Sequence, residues 1–282
     1  MGSLYLVATP IGNLSDLSPR ALETLRQVDL IACEDTRRTR KLLNCFGISA
    51  KTTSYHEHNE SSKSRQLLAL LKEGQSLALV SDAGTPLLSD PGYLLVKLSR
   101  DEGIPVVPIP GPSAALAALS TSGLPTHRFL FLGFLPTRRA SIRRELKAVA
   151  AIDATLIVYV SPHQLMNTLE EAARTLGPRP AFLMREITKL YESAFSGSLA
   201  DIASQAAAAE PKGEYTLVIG AGQPKQEVQT GIDVTAYVEG LKATQKCSQR
   251  DAVAQASEHL GLSKQEVYRV LQPTRTRGGL PR

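Results

Sequence analysis

The stretch LYLVATPIGNLSDLSPRALETL, residues 4–25, contains one complete strand, loop and helix, and its pattern recurs through the first half of the chain. Residues 4–9 form a short apolar run of strand composition, ended by the turn-forming Pro10-Ile11-Gly12-Asn13. Ser18-Pro19 then opens a helix, a capping hydroxyl followed by a proline whose missing N–H costs nothing in a first turn. The same alternation predicts strands at 29–34, 52–55, 76–82 and 106–110, with helices near 18–27, 37–46, 60–72, 92–102 and 113–121. Short strands alternating with helices imply βαβ units around a mostly parallel sheet.

Beyond Gly123-Leu124-Pro125 a second block opens with an apolar run at 129–135, followed by strands near 155–161, 181–186, 191–196 and 215–221. Helices fall near 138–150, 163–176 and 199–209. Too few residues join 181–186 to 191–196 for a crossover, so part of this sheet should be antiparallel. The expected fold class is α/β: a parallel-sheet domain at 1–122, a mixed-sheet domain at 123–225, linker composition at 222–232, and a small helical domain at 233–282. Its three helices are expected at 234–242, 249–260 and 264–271, with capping boxes Ser248/Asp251 and Ser263/Glu266. Ala256, Leu260, Leu262, Val267 and Val270, around a glycine turn at 261–263, have the spacing of a helix-turn-helix core.

With 43% hydrophobic and 21% charged residues, the 282-residue chain is neither disordered, collagen-like nor coiled coil. Its net charge of +5 is unevenly placed. Residues 240–282 carry eight basic and three acidic side chains, leaving 24 of each in the rest, so the tail is the part suited to a polyanion. Cys33, Cys45 and Cys247 make no paired framework and no zinc spacing, which fits a reducing cytoplasm. No export signal is expected at the N-terminus, and prolines interrupt the longest uncharged stretch, 103–127, so no membrane partner is expected.

In open α/β sheets ligands sit where strands end, so the loops after the first five strands are the informative ones. Three are rich in small residues that let backbone approach a ligand: Pro10 and Gly12 after the first strand, Ser81 to Gly92 after the fourth, and Pro110 to Ala114 after the fifth. Two are polar: Glu34-Asp35-Thr36-Arg37 and His56-Glu57-His58-Asn59. Neither a P-loop nor a dinucleotide fingerprint occurs, which disfavours ATP and NAD. An adenosine-containing ligand with a short charged tail fits such loops, and S-adenosylmethionine is one candidate.

The segments LYLVATPIGNLSDLSPRALETL, ACEDTRRTRKLL, YHEHNE, LVSDAGTPLLSDPG, IPGPSAALAALSTSGL and FLGFLP, in that order, resemble the bacterial 16S ribosomal RNA (cytidine-2′-O)-methyltransferases, which share the fold of the tetrapyrrole methylases. That resemblance implies two α/β domains sandwiching S-adenosylmethionine, usually in a homodimer. It implies methyl transfer to the ribose 2′-hydroxyl of a cytidine in the decoding region of the small ribosomal subunit. By the same resemblance Pro10, Gly12, Asp82, Ala83, Gly84, Thr85, Ser113 and Ala114 would frame the cofactor. Tyr159, Met184 and Tyr215 would supply its adenosine side.

Methyl transfer to a hydroxyl gains from a base within hydrogen-bond reach. Loop position makes Glu34, Asp35 and His56 the candidates, with Arg37 for a phosphate and Asn59 for a sugar or base edge; removing Glu34 or Asp35 is expected to spare cofactor affinity and abolish most turnover. Arg138, Arg139 and Arg143, and in the tail Arg250, Lys264 and Arg269, are candidate RNA contacts. Each reading has a plainer counterpart: Glu34 and Asp35 as helix-capping acids, Asp82 as a turn residue, the basic run as a solvated helix face. No metal is expected at His56 and His58: with Glu57 and Asn59 as neighbours and no cysteine nearby, the segment reads as a polar substrate loop rather than a metal site. The alternatives are a precorrin-type tetrapyrrole methyltransferase and a DNA-binding regulator with a ligand-sensing α/β body.

Overall fold

The computed structural model describes residues 1–208, 211–222, 233–245, 247–260 and 264–271, which fall into two compact units, Met1–Gly222 and Gln223–Arg282. In the first unit, strands β1 (Leu4–Val7), β2 (Leu30–Cys33), β3 (Thr52–Ser54), β4 (Leu77–Val80) and β5 (Val106–Ile109) alternate with helices α1 (Pro19–Gln27), α2 (Thr36–Cys45), α3 (Glu60–Lys72), α4 (Tyr93–Asp101) and α5 (Ala114–Thr121). The strands form an all-parallel sheet in the order β3-β2-β4-β1-β5. All four residues of central β4 are buried, as a strand covered on both faces requires. Leu25 and Leu43, on α1 and α2, pack on one face; Leu67 and Leu95, on α3 and α4, pack on the other.

The second sheet holds β6 (Phe129–Phe134), β7 (Thr155–Val160), β8 (Pro180–Arg185), β9 (Ser193–Ser198) and β10 (Tyr215–Ile219) in the order β6-β7-β10-β8-β9. Only the β6–β7 pair is parallel. Helices α6 (Arg139–Val149), α7 (Leu165–Leu176) and α8 (Leu199–Ala207) cover one face. The opposite face is covered by α5, whose Ala115, Ala118 and Leu119 pack with Ile157, Met184 and Val218. A helix that follows the last strand of the first sheet thus belongs to the core of the second.

The antiparallel β8–β9 pair agrees with the short connection in the sequence, but β9 starts at Ser193, two residues late. Glu186 and Thr188 adopt positive φ, and tight turns close from Lys189 N–H to Glu186 O and from Glu192 N–H to Lys189 O, leaving Tyr191 76% exposed outside the ladder.

The second unit comprises α9 (Val234–Gln245), α10 (Gln249–Leu260) and α11 (Lys264–Leu271) around Val234, Val238, Ala252, Val253, Ala256, Leu260 and Val267. Ser248 starts α10 as expected: its hydroxyl accepts the Asp251 N–H (3.2 Å) and donates to the Asp251 carboxylate (2.6 Å). Val270, expected in this core, is 52% exposed, because Val267 and Leu271, one turn apart, already fill the inward stripe of so short a helix. The linker at 223–232, Leu262, and the Ser263 cap lie outside the described residues.

Candidate functional site

The loops that end β1, β4 and β5 are tied together before any ligand is considered. Thr9 and Gly84 exchange both backbone hydrogen bonds at 2.9 Å, and the Thr9 hydroxyl donates to Ser81 O (3.1 Å). Thr85 Oγ1 donates to Pro112 O at 3.2 Å, joining the fourth loop to the fifth. Gly84 sits at φ 85°, where a side chain would be strained, and a Cβ on Gly111 would stand 2.9 Å from that of Ala8. Ser113 accepts the Leu116 N–H as N-cap of α5.

The second sheet closes this rim. Tyr159 on β7 packs edge-on against Phe131 (5.0 Å between centroids) and tilted against Phe134 (5.5 Å). Burial raises its hydroxyl pKa above the usual tyrosine range, against the pull of the Ala115 backbone and the Ser113 side chain, so it stays protonated. Between the two sheets lies a cavity of about 390 Å³, within the size range of small-molecule sites. Asp82, Ala83, Gly84, Thr85, Ser113, Ala114, Tyr159 and Tyr215 all line it. Pro10, Gly12 and Met184 do not. A Cβ on Gly12 would lie 2.4 Å from Lys189 Cγ, which makes it a packing position. Met184 is 6% exposed, its sulfur accepting from Thr121 Oγ1 (3.3 Å).

The EDTR loop forms an open depression of about 410 Å³ lined by Glu34, Asp35, Arg37, His56 and Ser54, and joined to the cavity through two shared residues, Arg38 and Asp82. The candidate catalytic residues are therefore gathered beside the cavity, not in it. Asp35 is committed to other partners: it caps α2 by accepting the Arg37 N–H (2.8 Å) and takes Nε and Nη2 of the same arginine (3.1 and 2.8 Å). Those bonds hold its carboxyl well below the usual range and make it a weak proton acceptor. Glu34 is exposed as a residue, yet desolvation of its carboxyl, then Asp82, raises its pKa. Asn59 lines neither space; it accepts the His56 N–H (2.9 Å) and meets His56 Nε2 (3.2 Å), so it orients the imidazole.

Several cavity residues were not singled out as site residues in the sequence, among them Arg38, Ser89, Asp90 and Phe134, although Ser89 and Asp90 belong to the loop read after the fourth strand. Arg38 Nη1 pairs with Asp82 at 3.2 Å. Asp90 lies at a second junction, because it and Ser89 also line a smaller depression of about 280 Å³ with Glu57, Glu60 and Tyr93. Desolvation, then Glu34 and Asp82, pushes the Asp90 carboxyl up to about 6, against a hydrogen bond from Ser81. The clue was the second Ser-Asp pair of SDAGTPLLSDPG, eight residues after the first.

Two of the basic candidates are engaged within the fold. Arg139 Nη1 pairs with Glu170 (2.7 Å) and its Nε donates to Asn167 Oδ1 (3.0 Å). Arg143 Nε pairs at 3.0 Å with Glu171, whose fully buried side chain also meets Arg174 at 3.5 Å. This cluster fastens α6 to α7. Arg138 is exposed at the N-cap of α6, and Arg250, Lys264 and Arg269 are exposed on the second unit. Among the described residues no three histidine, cysteine or carboxylate side chains are grouped to hold a metal, and no helix is long and apolar enough to cross a membrane.

Residues 3–203 match the model of the tetrapyrrole (corrin/porphyrin) methylases. A "Ribosomal RNA small subunit methyltransferase I" of Mesorhizobium japonicum is 48% identical, covering 95% of this chain and 91% of its own. A protein of the same description from Halalkalibacterium halodurans is 45% identical over 95% of this chain and 94% of its own. Among solved structures, a uroporphyrin-III C-methyltransferase from Thermus thermophilus complexed with S-adenosylhomocysteine superposes with a TM-score of 0.55 at 21% identity, covering 78% of this chain and 97% of that one, a likeness of fold alone. Two sheets enclosing a cavity, matched by this extended similarity, establish that the chain belongs to the tetrapyrrole methylase family, among the small-subunit ribosomal RNA methyltransferases I.

Proposed function

We propose that this chain transfers a methyl group from S-adenosylmethionine to the ribose 2′-hydroxyl of a cytidine in the decoding region of 16S rRNA, acting on the small ribosomal subunit in the cytoplasm. The observation that carries the reading is the junction at Arg38 and Asp82, residues that line both a cavity of small-molecule size and a polar depression suited to a larger acceptor.

The cavity suits the cofactor chemically. Apolar side chains of Phe134, Val160 and Ile187 offer a face for a purine, and the small residues Ala83, Gly84 and Ala114 let a ligand lie close against the chain. When bound, S-adenosylmethionine supplies a methyl group whose bond to a cationic sulfur breaks, both electrons staying on sulfur, as a bond to the acceptor oxygen forms. The chain's own contribution is to align the acceptor and exclude water. Arg37, 84% exposed, is placed to meet a phosphate beside the depression, and Arg38 to meet one at its junction with the cavity. On the second unit, Arg250, Lys264 and Arg269 would bring further phosphates onto helices of helix-turn-helix spacing. Arg138 would do so at α6, with Arg139 and Arg143 setting that helix in place, and the working form would be a homodimer.

Transfer of labelled methyl to small subunits from cells lacking the protein tests the reading, with free 16S rRNA, DNA and a precorrin as parallel acceptors. Label that protects one cytidine linkage from alkali is the expected result. Label confined to the precorrin would replace RNA with a tetrapyrrole as substrate, and DNA binding without transfer would favour a regulator.

A further inference from the structure

We propose that Asp90 is the proton acceptor of this methyl transfer, its carboxylate taking the hydrogen of the attacking hydroxyl as that oxygen bonds to the methyl carbon. The inference rests on the methyl-transfer reading of the cavity.

A base for this step must reach the cavity of the methyl donor and be free of an ion-pair partner that would hold it ionised and weakly basic. Among the described residues three carboxylates line the cavity: Asp82, Asp90 and Glu214. Asp82 pairs with Arg38 (3.2 Å) and accepts the Asp35 N–H (3.2 Å). Glu214 accepts from Lys189 Nζ at 2.9 Å. No ion pair engages Asp90 among the described residues, and no histidine lines the cavity. Asp90 also lines the smaller depression with Glu57, Glu60 and Tyr93, so its side chain borders space outside the cavity as well as the cavity itself.

The backbone aims this side chain. Leu87 and Ser89, neither of them glycine, hold φ at 73° and 69°, a conformation that persists only where the surroundings enforce it. They do so from both ends. Upstream, Gly133 brings β6 so close that a Cβ there would stand 2.7 Å from Ser89 Oγ. Downstream, Glu60 Oε1 accepts the N–H groups of Gly92 (3.0 Å) and Leu94 (3.3 Å) and is itself held by the Tyr55 hydroxyl (3.0 Å).

Charge completes the case. Glu34 and Asp82 act on Asp90 from the ends of β2 and β4, with Arg38 beyond Asp82; Ser81 and Tyr159 approach from β4 and β7, and Glu57, Glu60 and Tyr93 share the depression. Desolvation and the two carboxylates raise its proton affinity towards neutrality, where a base is most effective. The ribose proton passes to Asp90 and, after the product leaves, to water.

Asp90→Asn is the decisive variant, Asp90→Glu its companion. Calorimetric titration with S-adenosylhomocysteine reports folding and should change less than about threefold. An analogue with an amine in place of the methyl-bearing sulfur should lose at least about tenfold in affinity, because the carboxylate facing the methyl position is gone. Single-turnover transfer to small subunits should fall roughly 10²- to 10⁴-fold in Asp90→Asn and lose the wild-type rise near pH 6, with partial recovery in Asp90→Glu. An unchanged analogue ratio, or a wild-type rate in Asp90→Asn, overturns the proposal. If wild type labels no ribose while the analogue ratio still collapses, the acceptor assignment fails and the placement of Asp90 stands.

Discussion

If the Asp90 carboxyl is held near pH 6 by its surroundings, the folded protein carries a cost that Asp90→Asn should relieve. A side-chain carboxyl at 3.8 in the unfolded chain and about 6 in the folded one opposes folding by about 3 kcal/mol once both forms are ionised. Solvent at the open depression reduces this to about 2 kcal/mol. Because the folded state holds the proton longer, stability falls as pH rises from about 4 to about 6 and stays level above. Asp90→Asn should therefore raise the unfolding midpoint by roughly 5 °C at pH 8 and leave it unchanged near pH 3.5. Parallel thermal melts of the full chain across that range measure the difference. A stability gain independent of pH, or a loss at pH 8, would refute the reasoning, since only a proton-linked cost vanishes when the carboxyl is neutral in both states.

Other consequences can be measured independently. Tyr159→Phe removes the hydroxyl that faces Ser113 and should weaken S-adenosylhomocysteine binding by roughly fivefold, read by calorimetry. Gly133→Ala puts a methyl group 2.7 Å from Ser89 Oγ at φ 63° and should cost about 2 kcal/mol in denaturant melts while reducing transfer, because it displaces the segment carrying Asp90. Glu171→Ala strips the buried partner from Arg143 and Arg174 and should lower the melting midpoint more than Glu171→Gln does, with little change in cofactor affinity. Replacing Arg250, Lys264 and Arg269 together by alanine should reduce the slope of log affinity for 16S rRNA against log salt by about 0.7 to 0.9 for every phosphate these side chains neutralise. An unchanged slope would remove these residues from the RNA interface.

Local sequence signals carried far where local physics dominates. Strand and helix alternation placed the five strands of the parallel sheet within two or three residues, and Ser18-Pro19 capped α1 as read. Of the eleven residues that the family resemblance implied for the cofactor, eight line one cavity, six of them just after strands of the first sheet and two, Tyr159 and Tyr215, on strands of the second. The residues that stand apart from the cavity, or are engaged elsewhere in the fold, share a cause. Met184 lies on a strand whose inward face is occupied by α5, a packing partner from the other block that no periodicity reveals. Arg139 and Arg143 read as a basic face, and in the fold they meet Glu170 and the buried Glu171 of α7, the latter 28 residues beyond Arg143. Asp35, read both as a candidate base and as a capping acid, is the N-cap of α2. Asp90 was quoted within its loop but gains its character from Glu34 and Asp82, which reach it only through folding.

The packing of α5 also bears on how the first unit can be taken apart. Residue 122 separates the two α/β blocks in sequence, yet a polypeptide severed there would leave the first fragment with a greasy helix and nothing to cover it, and the second with a naked sheet face at Ile157 and Val218. The seam between the sheets behaves as a weld: co-expressed halves should reassemble only as a complementing pair, and a cut at the exposed 190–191 turn would instead divide the second sheet itself, parting β6, β7 and β8 from β9 and the central β10.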